Sequence, residues 1–216
     1  MAKHFILMGD VIGSRRLDPT ELRQEIKNLL SSCNRRLKAG ILSPYTTTLG
    51  DEFQGVARSL KAAAECIFFF EEKRIASQYD FRIRYVAHYG EIQTPINREI
   101  AYGMMGPGLT RARALLTMKK RGQPRFCFDL PDSRLADNLI RLCGVIDGLV
   151  SRWDRQDYGL ISDMLSIPVN ERVGAKYGKN RSQIWKRRRH LLIEEYLLTK
   201  SVVFDLIDAA EERRRK

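Results

Sequence analysis

The chain has 216 residues and a formal net charge of +12, and 44% of its residues are hydrophobic and 30% charged. These proportions exclude a disordered chain, and the length leaves room for one unit of about 130 residues and one of about 80. No run of about 18 apolar residues and no export signal occurs, so we expect a cytoplasmic protein with no membrane partner. The basic excess favours polyanionic partners such as nucleic acid or nucleotides.

The first elements of the chain combine one strand and one helix. Residues 4–11 form an apolar run that is typical of a buried strand, and Asp10 lies at its carboxyl end. Asp18 followed by Pro19 is typical of the start of a helix, and an apolar stripe at helical spacing follows. We therefore expect Asp10 to lie at the end of a strand that leads into a helix.

A hairpin is predicted next. Residues 45–49 and residues 52–56 are rich in β-forming residues, and Gly50 and Asp51 between them are typical of a tight turn. A helical pattern over residues 60–78 and an alternating pattern over residues 81–89 follow. The predicted order is therefore β, α, β, β, α, β, with Asp51 at the tip of the hairpin.

The remaining elements of this half are a loop, a helix and a strand. Glycines in residues 102–108 indicate a tight loop that can approach a phosphate, before a helix over residues 109–118. Residues 125–130 indicate a last strand, and the pattern is helical from Pro131 onward. We place the domain boundary there, with one domain over residues 1–130 and a second over residues 131–216.

Asp10 and Asp51 are candidate metal ligands. If the first strand and the hairpin are neighbours in the sheet, the two carboxylates face each other. Hard divalent ions prefer carboxylate oxygens and keep positions open for phosphates, so the pair predicts Mg²⁺ or Mn²⁺. Aspartate next to glycine also occurs as a simple turn or cap residue, and this alternative stays open.

Four motifs resemble those of the palm fold shared by class III nucleotidyl cyclases and GGDEF diguanylate cyclases. Residues 9–14 (GDVIGS) are similar to the first aspartate strand, and residues 49–53 (LGDEF) to the hairpin. Residues 83–92 (IRYVAHYGEI) are similar to the strand that ends in His-x-Gly-Glu, and residues 106–115 to the next helix. The resemblance implies an α+β fold, with a ferredoxin-like βαββαβ palm that binds a nucleotide through Mg²⁺ or Mn²⁺.

The resemblance also implies residues that contact the nucleotide. The glycines and the hairpin would lie against the phosphates, and arginines of the last helix would neutralise them. The implied residues are Gly13, Ser14, Gly50, Glu52, Gly106, Arg111 and Arg113. The two arginines can equally form the solvated face of an ordinary helix. We interpret His88 as a structural residue of its strand.

The chain departs from the cyclase pattern at catalytic positions. Threonines at positions 46–48 replace the lysine with which cyclases read the purine, and Thr110 and Ala114 stand where cyclases have an asparagine and an arginine. An arginine that stabilises the negative charge developing on the phosphate in the transition state speeds the reaction. Its loss lowers turnover while leaving binding largely intact. We therefore expect nucleotide binding more than catalysis.

The second half is helical and locally basic. Residues 133–153 and 156–166 have the pattern of scaffold helices, and a further helix is predicted over residues 199–210. Residues 169–177, a turn at Gly178, and residues 181–196 have the spacing of a helix-turn-helix. No acidic residue occurs from position 172 to position 189, which contain eight basic ones: Arg172, Lys176, Lys179, Arg181, Lys186, Arg187, Arg188 and Arg189.

The second helix of this motif has the composition of a DNA-recognition helix, with polar groups for base edges and arginines for phosphates. The alternative is an ordinary solvated basic helix. The predicted DNA-binding residues are Lys179, Arg181, Ser182, Gln183, Trp185, Lys186, Arg187, Arg188 and Arg189.

The whole chain resembles the SatD family, which couples such a palm to a helix-turn-helix. The resemblance implies a DNA-binding transcriptional regulator whose palm binds a nucleotide or dinucleotide through divalent metal. A homodimer would add binding energy by using two half-sites. The alternative is an active nucleotidyl cyclase, or another synthase of a nucleotide second messenger, with an attached helix-turn-helix.

Overall fold

A five-stranded sheet in the order β2-β3-β1-β4-β5 forms the centre of the protein. The computed structural model describes residues 2–118 and 123–215. Strand β1 pairs antiparallel with β3 and β4, and β5 joins β4 in parallel. The strands are β1 (Lys3–Ile12), β2 (Ile41–Leu49), β3 (Glu52–Ala57), β4 (Arg82–Glu91) and β5 (Phe126–Asp129). The α+β class predicted from the sequence is confirmed.

Helices flank the sheet and make up the second half of the chain. The elements up to β4 follow the predicted order β, α, β, β, α, β. The helices are α1 (Pro19–Arg36), α2 (Leu60–Ala76), α3 (Pro107–Thr117), α4 (Ser133–Val150), α5 (Tyr158–Ser166), α6 (Asn170–Tyr177), α7 (Arg181–His190) and α8 (Ile193–Arg215). Among the described residues, none of the helices is both long and apolar enough to cross a bilayer.

Local sequence signals account for the start of α1 and for the hairpin. The Asp18 carboxylate accepts hydrogen bonds from the backbone N–H groups of Thr20 (3.0 Å) and Glu21 (2.8 Å), which the first turn of a helix leaves without partners. Gly50 has φ 56° in the turn between β2 and β3, a conformation that suits glycine. Both predictions are confirmed.

The two faces of the sheet are packed against different elements. Leu7, Phe53 and Tyr85 belong to one large core with α1 and α2, and this core continues without a break into α4, α5 and α8. Ile6 and Val86, on the opposite face, pack under α3 and the loop that precedes it. The helical half therefore lies on one face of the sheet, and the α3 face stays more open.

A buried ionic cluster, which we call the Glu71 cluster, joins the two halves. Arg125 donates hydrogen bonds to both carboxylate oxygens of Glu71, at 2.8 and 2.9 Å, and its Nε donates to Asp147 on α4 at 2.8 Å. Tyr85 also donates to Glu71, at 2.9 Å. Burial alone would raise the pKa of Glu71, but Arg125 and Arg74 outweigh it and lower that pKa to about 2.

The helix predicted over residues 181–196 is interrupted, and this part of the prediction is wrong. Helix α7 ends at His190, Leu192 has φ 55°, and α8 starts at Ile193, earlier than the predicted residue 199. Ile193 and Tyr196 are fully buried, so the break lets α8 turn its apolar face into the core. Trp153 holds the break by donating from Nε1 to the Leu191 carbonyl at 2.7 Å.

Candidate functional site

Asp10 and Glu52 lie directly opposite each other on neighbouring antiparallel strands. Residues paired in this way project from the same face of a sheet. Asp10 is buried to 7% exposure and shares its face with Ile6 and Met8, so the acidic pair lies on the α3 side. The hairpin is adjacent to the first strand, as the metal prediction requires, but the residue opposite Asp10 is Glu52 and not Asp51.

Asp51 lies in the turn, one residue before β3. Its backbone carbonyl accepts a hydrogen bond from Val11 N at 3.4 Å, which ties the turn to the end of β1. The pairing of the Asp10 and Asp51 carboxylates around one cation stays a prediction.

Two arginines accompany the acidic pair. Arg84 on β4 is the register partner of Asp10 on the other side of β1, and its Nη1 lies 3.8 Å from the Asp10 carboxylate. Arg84 Nε is buried and has no hydrogen-bond partner among the described residues. Arg113 on α3 donates from Nη2 to Glu52 at 2.7 Å. Sequence reasoning missed Arg84, although the alternation of β4 places it on the same face as Val86.

Arg111 contacts a different part of the sheet face that α3 covers. Its Nε donates to the Asp129 carboxylate at 3.0 Å, and that carboxylate also lies 3.0 Å from Nδ1 of His88. His88 thus contacts the neighbouring strand β5, and its structural role stays a prediction. Arg111 and Arg113 therefore hold different strands to α3, and only Arg113 reaches the acidic pair.

A cleft with a volume of about 450 Å³ opens between α3 and the β2–β3 hairpin. Arg113 and Thr110 line it from α3, and Gln54 and Thr48 from the hairpin strands. Tyr102, which is 64% exposed, lies at its border. Because Arg113 both lines the cleft and binds Glu52, the acidic pair lies beside this cleft. Of these residues, only Arg113 was predicted to contact the nucleotide, and Thr48 and Thr110 stand at the positions where the chain departs from the cyclase pattern.

The predicted glycines lie in three places. Gly13 (φ 74°) precedes a short 3-10 turn that begins at Ser14, just after β1, and Gly50 lies in the hairpin turn. Gly106 starts α3, and a Cβ there would lie 2.7 Å from the Glu91 carbonyl. Gly106 therefore allows α3 to pack closely on β4, whereas Gly103, which belongs to the predicted glycine loop of residues 102–108, lines the cleft.

The donor set near the cleft fits a divalent cation only in part. Carboxylate oxygens are hard donors of the kind that Mg²⁺ and Mn²⁺ prefer. Among the described residues, however, no group of three or more His, Cys, Asp or Glu side chains is arranged to hold a metal. Mg²⁺ commonly uses one or two carboxylates and completes its shell with water and substrate phosphates. Asp10 with a hairpin carboxylate matches that substrate-completed type.

Helices α6 and α7 meet at a tight turn. Gly178 ends α6 with φ 61°, and the Asn180 and Gln183 side chains each accept from the other's backbone N–H at 2.9 Å, a capping box that starts α7. A Cβ on Gly174 would lie 2.2 Å from the Lys179 carbonyl, so only glycine permits this approach. Because Gln183 caps α7, its side chain is already engaged there.

One face of α7 is exposed. Ser182, Trp185, Lys186 and Arg189 are exposed at i, i+3, i+4 and i+7 spacing, and we call this set the outer stripe. Trp185 is 54% exposed. Within residues 2–118 and 123–215, neither Lys186 nor Arg189 forms an ion pair.

The remaining predicted DNA contacts differ in their surroundings. Lys179 is exposed in the turn. Arg181 is exposed and lies 3.0 Å from Glu171, and Arg187 forms an ion pair with Asp157.

Arg188 is the clear exception among the predicted DNA contacts. It is 4% exposed and points into the fold on the same side of α7 as Ile184. Its guanidinium donates to Asn170 Oδ1 (3.0 Å) and to the carbonyls of Met164 (2.9 Å) and Ile167 (2.8 Å). The predicted phosphate contact of Arg188 is therefore corrected: this side chain takes the place of an apolar anchor.

Fold and site together describe an α+β protein with an acidic pair beside a sheet cleft and an exposed basic helix. The structure is similar to that of a bacterial light-regulated adenylyl cyclase (13% identity, TM-score 0.38, 58% of this chain and 74% of that one). It is also similar to the catalytic core of a rhodopsin-guanylyl cyclase with converted specificity in complex with ATPαS (14% identity, TM-score 0.35, 55% and 75%). No curated protein matches the chain in sequence. The SatD family model matches residues 4–207, and the chain therefore belongs to the SatD family.

Proposed function

We propose that this protein is a nucleotide-responsive DNA-binding regulator. A palm over residues 1–130 binds a nucleotide or dinucleotide with a divalent cation, and a helix-turn-helix within residues 131–216 binds DNA. The outer stripe of α7 is the observation that carries the DNA part of this proposal.

The stripe has the features of a DNA contact surface. Lys186 and Arg189 present cations to the phosphates, and Ser182 and Trp185 present a hydroxyl and an indole beside them. Ile184 and Arg188 hold the opposite side of α7 in the core, so the stripe is presented by a fixed helix. A homodimer would present two such stripes to two half-sites.

DNA affinity as a function of salt tests this surface. We expect duplex DNA to bind with an affinity that falls as salt rises, because phosphate contacts release counterions. Replacing Lys186 and Arg189 together by glutamine should weaken binding and lower the salt slope by about two units, roughly one for each contact. Fluorescence anisotropy with a labelled duplex measures both quantities.

A matched control separates specific contact from net charge. Arg23 and Lys27 are exposed on α1, so their double glutamine variant removes the same charge elsewhere. It should leave the salt slope nearly unchanged. Equal losses in both double variants, or binding without salt dependence, would exclude the outer stripe as the contact surface.

The cleft supports the nucleotide part of the proposal. Arg113 lines the cleft and can neutralise phosphate, and Asp10 with a hairpin carboxylate can hold the divalent cation. Asp10 and a hairpin carboxylate would hold the cation, which would supply positive charge beside the phosphates. Arg84, whose buried Nε has no hydrogen-bond partner within the described part of the chain, offers a further donor beside Asp10.

Calorimetric titration with ATP and GTP tests the cleft. Binding should require Mn²⁺, and both chelation and Asp10→Asn should abolish it. Asp129→Asn makes the same chemical change on the same sheet face, at the His88 and Arg111 contact, and should leave affinity nearly unchanged. If Asp10→Asn binds as tightly as wild type, the cleft is not a metal-dependent nucleotide site.

A second candidate function is synthesis of a nucleotide messenger. It is favoured by Arg84 and Arg113 beside the acidic pair, because cations of this kind stabilise charge that develops on a transferring phosphoryl group. Incubation with each nucleoside triphosphate and Mn²⁺, next to an Asp51→Asn control, would reveal a product. Binding without any product leaves the regulator as the function.

A further inference from the structure

A second cavity, separate from the cleft, lies where β1 ends and β4 begins. It has a volume of about 290 Å³ and is lined from both halves of the chain. Arg74 and Phe81 come from the palm half, and Trp153 and Tyr158 from the helical half. These four residues belong to the α2, α4 and α5 side of the sheet, whereas the cleft lies under α3.

Arg74 lines this cavity, and one nitrogen of its guanidinium makes no hydrogen bond to the described residues. Its side chain is 2% exposed, Nη1 donates to the Tyr158 hydroxyl at 3.2 Å, and Nη2 lies 3.5 Å from Glu71. Nε is buried and has no hydrogen-bond partner among the described residues. A buried donor of a charged group costs free energy when it is left unpaired, so an acceptor that reaches the Arg74 guanidinium would stabilise this site.

Arg74 has the weakest carboxylate contact of the three arginines around the Glu71 cluster. Glu71 binds Arg125 at 2.8 and 2.9 Å and Arg74 only at 3.5 Å, and Asp147 binds both Arg125 and Arg82. Three arginines thus share two carboxylates. Asp80 at the rim is occupied by Arg155 at 3.5 Å. An anion in the cavity would balance the charge of Arg74.

We propose that this cavity binds a small anion with an apolar or aromatic body, whose carboxylate or phosphate pairs with the Arg74 guanidinium. Phe81, Trp153 and Tyr158 provide the apolar wall for the body of the ligand. The volume is close to the lower end of ordinary ligand pockets, about 300 Å³, so the ligand is small. This site depends on neither the nucleotide nor the DNA proposal.

Tryptophan emission gives a direct test, because the chain has two tryptophans and only Trp153 lines the cavity. In a Trp185→Phe background, Trp153 is the only tryptophan, and its emission is excited selectively at the red edge of its absorption. Titration with benzoate, phenyl phosphate and the neutral analogue benzamide should give saturable changes for one or both anions and none for benzamide. Benzoate and phenyl phosphate separate a carboxylate site from a phosphate site.

Variants at the rim test the position of the anion. Ser151 is an exposed lining residue, so Ser151→Glu adds a negative charge at the mouth, while Ser151→Gln adds the same bulk without charge. Binding should weaken about tenfold or more in Ser151→Glu and remain in Ser151→Gln. Arg74→Met should weaken it to a similar degree, since a hydrogen bond to a charged group is lost.

Three outcomes would overturn the proposal. The first is the absence of any change with either anion at millimolar concentration. The second is equal binding of benzamide and benzoate, and the third is equal binding by the Ser151→Glu and Ser151→Gln proteins. Because Ser151→Glu lies at the surface, it keeps the test decisive even if Arg74→Met fails to fold.

Discussion

Arg113 on α3 and Glu52 on β3 are joined by a hydrogen bond of 2.7 Å from Nη2 to Oε2, beside the cleft. Arg111, two residues earlier on the same helix, binds Asp129 on β5 instead. Two arginines on the same helix, which the sequence does not distinguish, therefore have different partners.

The first prediction uses this pair of arginines. Arg113→Met should weaken triphosphate binding roughly tenfold, because a cation that lines the cleft is lost. Arg111→Met removes the same charge outside the cleft lining and should have little effect. Calorimetric affinities of both variants for ATP with Mn²⁺ measure the difference, and equal losses would contradict it.

The second prediction concerns the Glu71 cluster. Glu71→Gln keeps the size of the side chain but leaves Arg74 and Arg125 buried without their carboxylate. We expect a loss of about 3–5 kcal/mol in the free energy of unfolding, measured with urea. Glu171→Gln, which breaks an exposed pair with Arg181, should change stability very little. A loss in Glu71→Gln as small as in that control would contradict the prediction.

The third prediction is the pH dependence of the same residue. Burial opposes ionisation, but Arg125 and Arg74 hold the pKa of Glu71 at about 2, below its ordinary value of 4.5. A depressed pKa in the folded state stabilises the protein above the unfolded pKa, and this contribution is lost as pH falls from about 4.5 to about 2. The stability difference between wild type and Glu71→Gln should therefore narrow over that interval. A constant difference would show that Glu71 titrates normally.

The fourth prediction separates two neighbouring arginines of α7. Arg188→Met leaves the acceptors at Asn170, Met164 and Ile167 without their donor, and should lower the free energy of unfolding by at least about 2 kcal/mol. Arg189→Met, at an exposed position, should keep wild-type stability and lose DNA affinity. Urea unfolding and anisotropy applied to both variants test the separation.

The fifth prediction concerns two helical glycines. Gly174→Ala places a Cβ 2.2 Å from the Lys179 carbonyl and should cost roughly 1–3 kcal/mol, because the α6–α7 turn must open. A Cβ at Gly148 in α4 meets no atom within 4 Å, so Gly148→Ala should stabilise the protein by about 0.5–1 kcal/mol. Thermal unfolding of the two variants should shift in opposite directions.

Features set by local sequence were predictable. Asp18 with Pro19 marked the start of α1, and Gly50 marked the hairpin, because capping and positive φ depend on neighbouring residues. The alternation of residues 81–89 likewise predicted a strand.

Features set by packing across the chain were not predictable. Nothing local distinguishes Glu52 from Asp51 as the residue opposite Asp10, since strand register is a tertiary property. The break at Leu192 depends on the burial of Ile193 and Tyr196. Arg188 carried a weak signal, because it follows the inward Ile184 by four residues.

The hydrogen bond between Trp153 Nε1 and the Leu191 carbonyl spans two regions that sequence alone would treat as unrelated. The indole is a wall of the Arg74 cavity, and the carbonyl belongs to the residue at which α7 stops. A displacement of that ring would alter its hydrogen bond to the peptide group at the end of α7. If a small anion beside Trp153 moved this contact, the affinities for the anion and for DNA at α7 would be coupled, and that coupling would be reciprocal.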